Sequence, residues 1–230
     1  MIRAETEGKA EQEGVEETPY NKSPFKIILA LFLVFLLLAL FIPVYKIRVD
    51  PEPDFDKIPS HELLLAELAL ININASNGGG DKNIPLSSMD KILSIESMPV
   101  IRQAAVKISA VSCKDQGVCY VKALYYFTRD KIKYVNDPAK QYIQHPTETL
   151  VTGGGDCEDK NLLLAYMLKA IAVPSRICLT SEHAFIEVWL PEARAGYKTK
   201  DDWVTLDATS QLDFGKISYQ HANARCDIYI

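Results

Sequence analysis

The stretch Gly153-Gly154-Gly155-Asp156-Cys157-Glu158-Asp159-Lys160, running into Asn161-Leu162-Leu163-Leu164-Ala165-Tyr166-Met167-Leu168, constrains this chain more than any other. Three successive glycines allow a tight turn that a Cβ would oppose. Asp156 is a favoured N-cap, and Asp159 lies three residues on, where its carboxylate can reach back as in a capping box. The spacing therefore predicts a helix beginning at Cys157. Apolar residues follow on nearly every side, the pattern of a helix buried inside its domain. Cys157 falls at the helix start, where unpaired amides favour a thiolate. Alone it would be read as a small apolar residue near a cap. Glu158 and Asp159 oppose a thiolate unless they point away as capping or ion-pairing groups.

Downstream, His183-Ala184-Phe185-Ile186-Glu187-Val188-Trp189-Leu190 is rich in β-branched and aromatic residues and predicts a strand. Trp203-Val204-Thr205-Leu206-Asp207 predicts a second strand, after a loop with Pro191 and Gly196. Paired as a hairpin with Glu187 opposite Trp203, the two strands set Phe185 against Thr205 and His183 against Asp207. The pleat then brings the imidazole and the carboxylate to one face. That is the base and orienter a cysteine nucleophile requires.

These blocks resemble the transglutaminase-like superfamily, a branch of the papain-like cysteine peptidase fold. The resemblance runs from about Ala123 to Ser210 and takes in Ile132-Lys133-Tyr134 and Pro146-Thr147-Glu148-Thr149-Leu150. It implies Cys157 as nucleophile, His183 as general base and Asp207 as orienter. It also implies thiol-dependent acyl transfer at an amide bond of a protein or peptide: a cysteine peptidase or amidase, or a cross-linking transglutaminase. Hydrolysis is favoured because water needs no second binding site. The competing reading is a catalytically silent binding or scaffold module that keeps the fold.

The order of helices, nucleophile helix and strands predicts an α+β fold: a helical N-terminal part, then the nucleophile-bearing helix packed on an antiparallel sheet. Residues 1–26 form an acidic tail expected to be disordered. From Ile27 to Tyr45 there is no charge. At about 1.5 Å per residue that run spans roughly 28 Å, near the thickness of a bilayer core. It is too long, and lacks the small-residue cleavage site, for a signal peptide. A single transmembrane helix over 27–45 is therefore expected, with a Pro-rich spacer over 46–59 and the transglutaminase-like domain over 60–230. Helices are predicted from His61, over 98–112 and over 118–131.

Cys113, Cys119, Cys178 and Cys226 remain besides Cys157. An even remainder with one close pair suits disulfides, with three possible connectivities; reduced core cysteines suit the same residues equally. The disulfide reading leans the domain towards an extracytoplasmic position. Sequons at Asn21 and Asn74 lie on opposite sides of the apolar run and cancel as markers. A net charge of −5 without a basic run gives no reason to invoke nucleic acid.

No cofactor is expected. Zinc at Cys157, His183 and Asp207 has suitable ligand types but no supporting pair spacing, so no metal is expected either. His61, His145 and His221 stand without such context. The Cys157 amide is the natural first oxyanion donor, with Gln144 and Tyr134 as candidates for the second. Arg194, Lys198 and Lys200 in the 191–202 loop are expected to repel a lysine acceptor.

Overall fold

The structure, a computed structural model, describes residues 24–69, 81–82, 98–114, 117–137, 142–216 and 224–230, with the side chains of 41–49 and 81–82 outside the description. The acidic tail up to residue 23, the sequons at Asn21 and Asn74 and His221 all lie outside the described residues.

Two compact units divide the chain, Met1–Val44 and Tyr45–Ile230. In the first, helix α1 begins at Pro24 and continues to Val49. Its large apolar side chains from Phe25 to Leu40 are exposed. Among the described residues no helix is long and apolar enough to cross a membrane.

The second unit is an α+β domain. Its helices are α2 (His61–Ala69), α3 (Pro99–Ser112), α4 (Val118–Lys131), α5 (Pro146–Thr152) and α6 (Cys157–Ala170). Two short pairs precede the main sheet: β1 (Asp81–Lys82) with β3 (Tyr142–Ile143), and β2 (Lys133–Tyr134) with β4 (Gly154–Gly155). Strands β5 (Ser175–Leu179), β6 (Ala184–Trp189), β7 (Trp203–Leu206) and β8 (Arg225–Tyr229) form an antiparallel sheet in the order β7-β6-β5-β8.

Helix α6 is the core. Every residue from Glu158 to Leu168 is buried, with α3, α4 and α5 on one side and β5 and β6 on the other. That is why its apolar residues show no single stripe: each face has a partner. The capping box between Asp156 and Asp159 forms as the spacing predicts.

Both remaining cysteine pairs are disulfides. Cys113–Cys119 closes the short turn between α3 and α4, and Cys178–Cys226 joins β5 to β8, leaving Cys157 as the free thiol. Residues 50–59 lie against the domain, with Asp50, Pro53, Ile58 and Pro59 buried. Asp50 accepts from Lys122 Nζ at 2.5 Å, Tyr197 Oη at 2.7 Å and Arg194 Nη1 at 3.2 Å, and Glu52 accepts from the same lysine at 2.6 Å. A buried lysine in α4 thus holds the chain that leads into the domain, with its charge matched by two acids.

The β6–β7 hairpin differs from the expected register. Ile186 faces Leu206 and Glu187 faces Thr205, up to Trp189 opposite Trp203. The shift is two residues, so each side chain keeps its expected face while its partner changes. The hairpin loop also leaves from the Trp189–Trp203 end, whereas His183 and Asp207 lie at the other end. At about 3.3 Å per residue, β6 separates them by roughly 16 Å.

Candidate active site

The glycine turn is held by close packing. Gly153 adopts φ +70, and a Cβ there would meet the His61 ring at 2.5 Å; one on Gly155 would meet Asp159 Cβ at 2.6 Å. His61 Nε2 lies 2.7 Å from the Leu150 carbonyl, so it donates there. β4 runs parallel to β2, with Tyr134 beside Gly155, and delivers the chain directly into Asp156 and Cys157. Asp159 accepts from the Asp156 amide at 3.2 Å and the Gln144 amide at 2.7 Å, so its carboxylate points away from the thiol.

Glu158 does not point away. Cys157 Sγ donates to Glu158 Oε2 at 3.0 Å. Burial, and then this hydrogen bond and the charge of Glu158, push the Cys157 thiol up to about 12; a hydrogen bond from the Ala184 backbone N–H pulls the other way. Burial likewise pushes the Asp156 carboxyl up to about 9, with Glu158 and Asp159 adding to the rise, and Asp159 to about 7. In the resting site the thiol of Cys157 and the carboxyl of Asp156 therefore both keep their protons at neutral pH.

Asn161 Nδ2 donates to the carbonyls of both Cys157 and Ala184, which sets the start of α6 against the start of β6, one residue from His183. His183 Nε2 lies 2.9 Å from Asp207 Oδ2. The pair is diagonal, since continuing the register sets Phe185 opposite Asp207. His183 precedes β6 and Asp207 follows β7, so both sit where the ladder has ended and side chains can lean across. Asp207 is held by its other oxygen, which accepts from Thr209 Oγ1 at 2.6 Å and Thr209 N at 3.0 Å.

The two oxyanion candidates part company. Gln144 uses its amide on Asp159 and its side-chain oxygen on Thr152 at 3.4 Å. Tyr134 stands half exposed beside the turn. Burial, followed by the acidic groups of the site, raises its phenol. His145 caps α5 by accepting from the Thr147 amide at 3.3 Å.

Two positive side chains in the loop after β6 are neutralised internally: Arg194 by Asp50, and Lys198 by Asp202 at 2.6 Å. Lys200, the third, is exposed and lies 3.9 Å from Asp201. For metals, the described ligand atoms that converge at Cys157 are those of Asp156 and Glu158, all within 4.8 Å of one another. A second such group, Cys178, Glu187 and Cys226, has both sulfurs committed to a disulfide.

One residue had no place in the sequence reading. Asn161, one helical turn after Cys157, donates from Nδ2 to the carbonyls of Cys157 and Ala184, each at 2.9 Å, and accepts from the Ala208 amide at 3.0 Å. Its signal was available: a lone amide ahead of the buried apolar run, on the helix face of Cys157.

The class this defines is an α+β domain whose buried helix starts with a cysteine and packs against an antiparallel hairpin carrying a His–Asp pair. Residues 103–208 match the family model described as the transglutaminase-like superfamily. Among solved structures it is similar to Legionella pneumophila LapG. The EGTA-treated form is 18% identical over 64% of this chain and 81% of that one, with a TM-score of 0.38. The calcium-bound form is 18% identical over 64% and 84%, with the same TM-score of 0.38. No curated protein matches the chain.

Proposed function

We propose that this protein cleaves amide bonds of a protein or peptide by covalent thiol catalysis, with Cys157 as nucleophile, His183 as general base and acid, and Asp207 as orienter. The observation that carries this reading is the junction at Ala184. Its carbonyl and that of Cys157 both accept from Asn161 Nδ2 at 2.9 Å, while the adjoining His183 is held by Asp207 at 2.9 Å. With Nε2 turned to Asp207, Nδ1 is the nitrogen assigned to the thiol proton. The thiolate attacks the carbonyl carbon, and the oxyanion takes the Cys157 amide at the helix start. As the C–N bond breaks, the imidazolium gives its proton to the leaving amine. Water, deprotonated by His183, then hydrolyses the thioester to a carboxylic acid and regenerates the thiol.

Hydrolysis is preferred over transfer to an amine because water needs no acceptor site, and the 191–202 loop lies at the remote end of the hairpin. The second reading, a silent binding module, draws on the Cys157–Glu158 hydrogen bond, which holds the thiol protonated. An activated peptide ester, followed by intact-mass spectrometry of the full-length protein, separates them. Acylation at Cys157 that disappears in Cys157→Ser and weakens in His183→Ala supports catalysis. No adduct at any pH supports the silent module. Excess labelled amine added to the same reaction reports transfer directly.

The same proposal anchors the chain in a lipid bilayer through residues 27–45. It is supported by the absence of charge there and by the exposed apolar side chains of α1 up to Leu40. It also places the domain outside the cytoplasm, supported by the Cys113–Cys119 and Cys178–Cys226 disulfides. Carbonate extraction tests the anchor, and protease protection in sealed cells tests the side.

A further inference from the structure

The β6–β7 ladder ends at Ile186 opposite Leu206. Carried two residues further, the register brings Ala184 opposite Ala208, the positions directly after His183 and Asp207. There the Ala208 amide donates to Asn161 Oδ1 at 3.0 Å, and the Ala184 carbonyl accepts from Asn161 Nδ2 at 2.9 Å. The carboxamide, a peptide group in all but connectivity, is inserted between the strands as a surrogate ladder unit. Its Nδ2 also donates to the Cys157 carbonyl at 2.9 Å, so one side chain joins the three segments that carry Cys157, His183 and Asp207. Asn161 is 1% exposed, and Ala184 and Ala208 are fully buried. Water has no route to replace these bonds, and removing the amide orphans a buried N–H and a buried C=O.

We propose that Asn161 is a positioning residue, which holds the open end of the hairpin at the spacing that lets His183 serve Cys157 while remaining bonded to Asp207. This rests on the thiol-catalysis reading above. Ala184 is the joint of the device, since its carbonyl is fixed by Asn161 and it directly follows His183 in the chain. A shift of the strand end would move the imidazole relative to the sulfur. Misplacements of about 1 Å in such constellations cost on the order of a hundredfold in rate.

The test compares wild type, Asn161→Ala, Asn161→Ser and His183→Ala in the full-length protein. Iodoacetamide alkylation of Cys157 is followed by intact mass from pH 5 to pH 10, alongside thermal unfolding. The expected result for Asn161→Ala is a drop of about tenfold to a hundredfold below neutral pH, where reaction depends on the imidazole. The variant's profile should converge on that of His183→Ala at every pH, and Asn161→Ser, which keeps a hydroxyl donor and acceptor, should fall between. A lowered unfolding midpoint with an unchanged pH profile overturns the proposal, because a purely structural role moves only the first. Failure of both Asn161 variants to fold overturns it as well, since the residue would then serve the fold itself. If His183→Ala leaves alkylation unchanged, the thiol-catalysis reading fails; if only the Asn161 variants do, that reading stands and the positioning role fails.

Discussion

Glu158→Gln is expected to activate the thiol of Cys157. In the resting structure the thiol donates a hydrogen bond to Glu158 Oε2 at 3.0 Å and is pushed up to about 12. Burial is the larger cause of that rise and is retained in the variant, because Gln fills the same volume. What disappears is the carboxylate's charge, together with the stronger half of the hydrogen bond. A hydrogen bond to a charged group contributes about 1.5–3 kcal/mol. At roughly 1.4 kcal/mol per pH unit, this corresponds to a fall of about one to two units in the thiol's titration. The thiolate fraction at neutral pH, and with it the alkylation rate, should therefore rise about tenfold to a hundredfold. Iodoacetamide labelling from pH 6 to pH 11, read by intact mass, gives the ratio of variant to wild-type rates at each pH. A ratio of one would refute the reasoning and leave burial as the whole cause; a ratio below one would mean that Glu158 favours the thiolate rather than the thiol.

Three further outcomes follow from the same geometry. Asp156 and Asp159 titrate in the folded protein far above their ordinary value of 3.8, at about 9 and about 7. The native state therefore binds more protons than the unfolded chain between pH 4 and pH 9, and stability falls as pH rises across that window. Asp156→Asn, an equally good cap, should flatten the upper part of that slope in urea titrations, with the difference from wild type vanishing below pH 4. A chain beginning at Pro51 lacks Asp50 and leaves Lys122 buried with only Glu52. Against a chain beginning at Tyr45 it should lose about 3 kcal/mol, the lower end for a broken buried pair, which is roughly 6–12 °C in midpoint by differential scanning calorimetry. Gly155→Ala brings a methyl group within 2.6 Å of Asp159 Cβ and must displace the capping carboxylate. A loss of about 1–3 kcal/mol in chemical denaturation, together with slower Cys157 labelling, is expected.

Local chemistry was legible in the sequence wherever the interaction spans only a few residues. The capping box of Asp156 and Asp159, the start of α6 at Cys157 and the α4 helix over 118–131 all follow from neighbouring residue types, because helix ends are satisfied from within one turn. The α+β order is legible for the same reason. The His183–Asp207 pairing was reached through a register displaced by two residues. The side-chain alternation of a strand has period two, so it fixes a face and is blind to a two-residue slip. The Cys178–Cys226 pairing and the burial of Asp50 against Lys122 depend on residues distant in the chain, which no local pattern encodes. Glu158 and Asp159 show the division most plainly. The spacing from Asp156 marks Asp159 as the capping residue, but nothing in the sequence says where its neighbour Glu158 points. Packing sends Asp159 to the Asp156 and Gln144 amides and leaves Glu158 as the acceptor for the thiol. The three-way bridge of Asn161 is likewise a product of the fold, because its partners, Cys157, Ala184 and Ala208, meet only when α6 packs into the mouth of the hairpin.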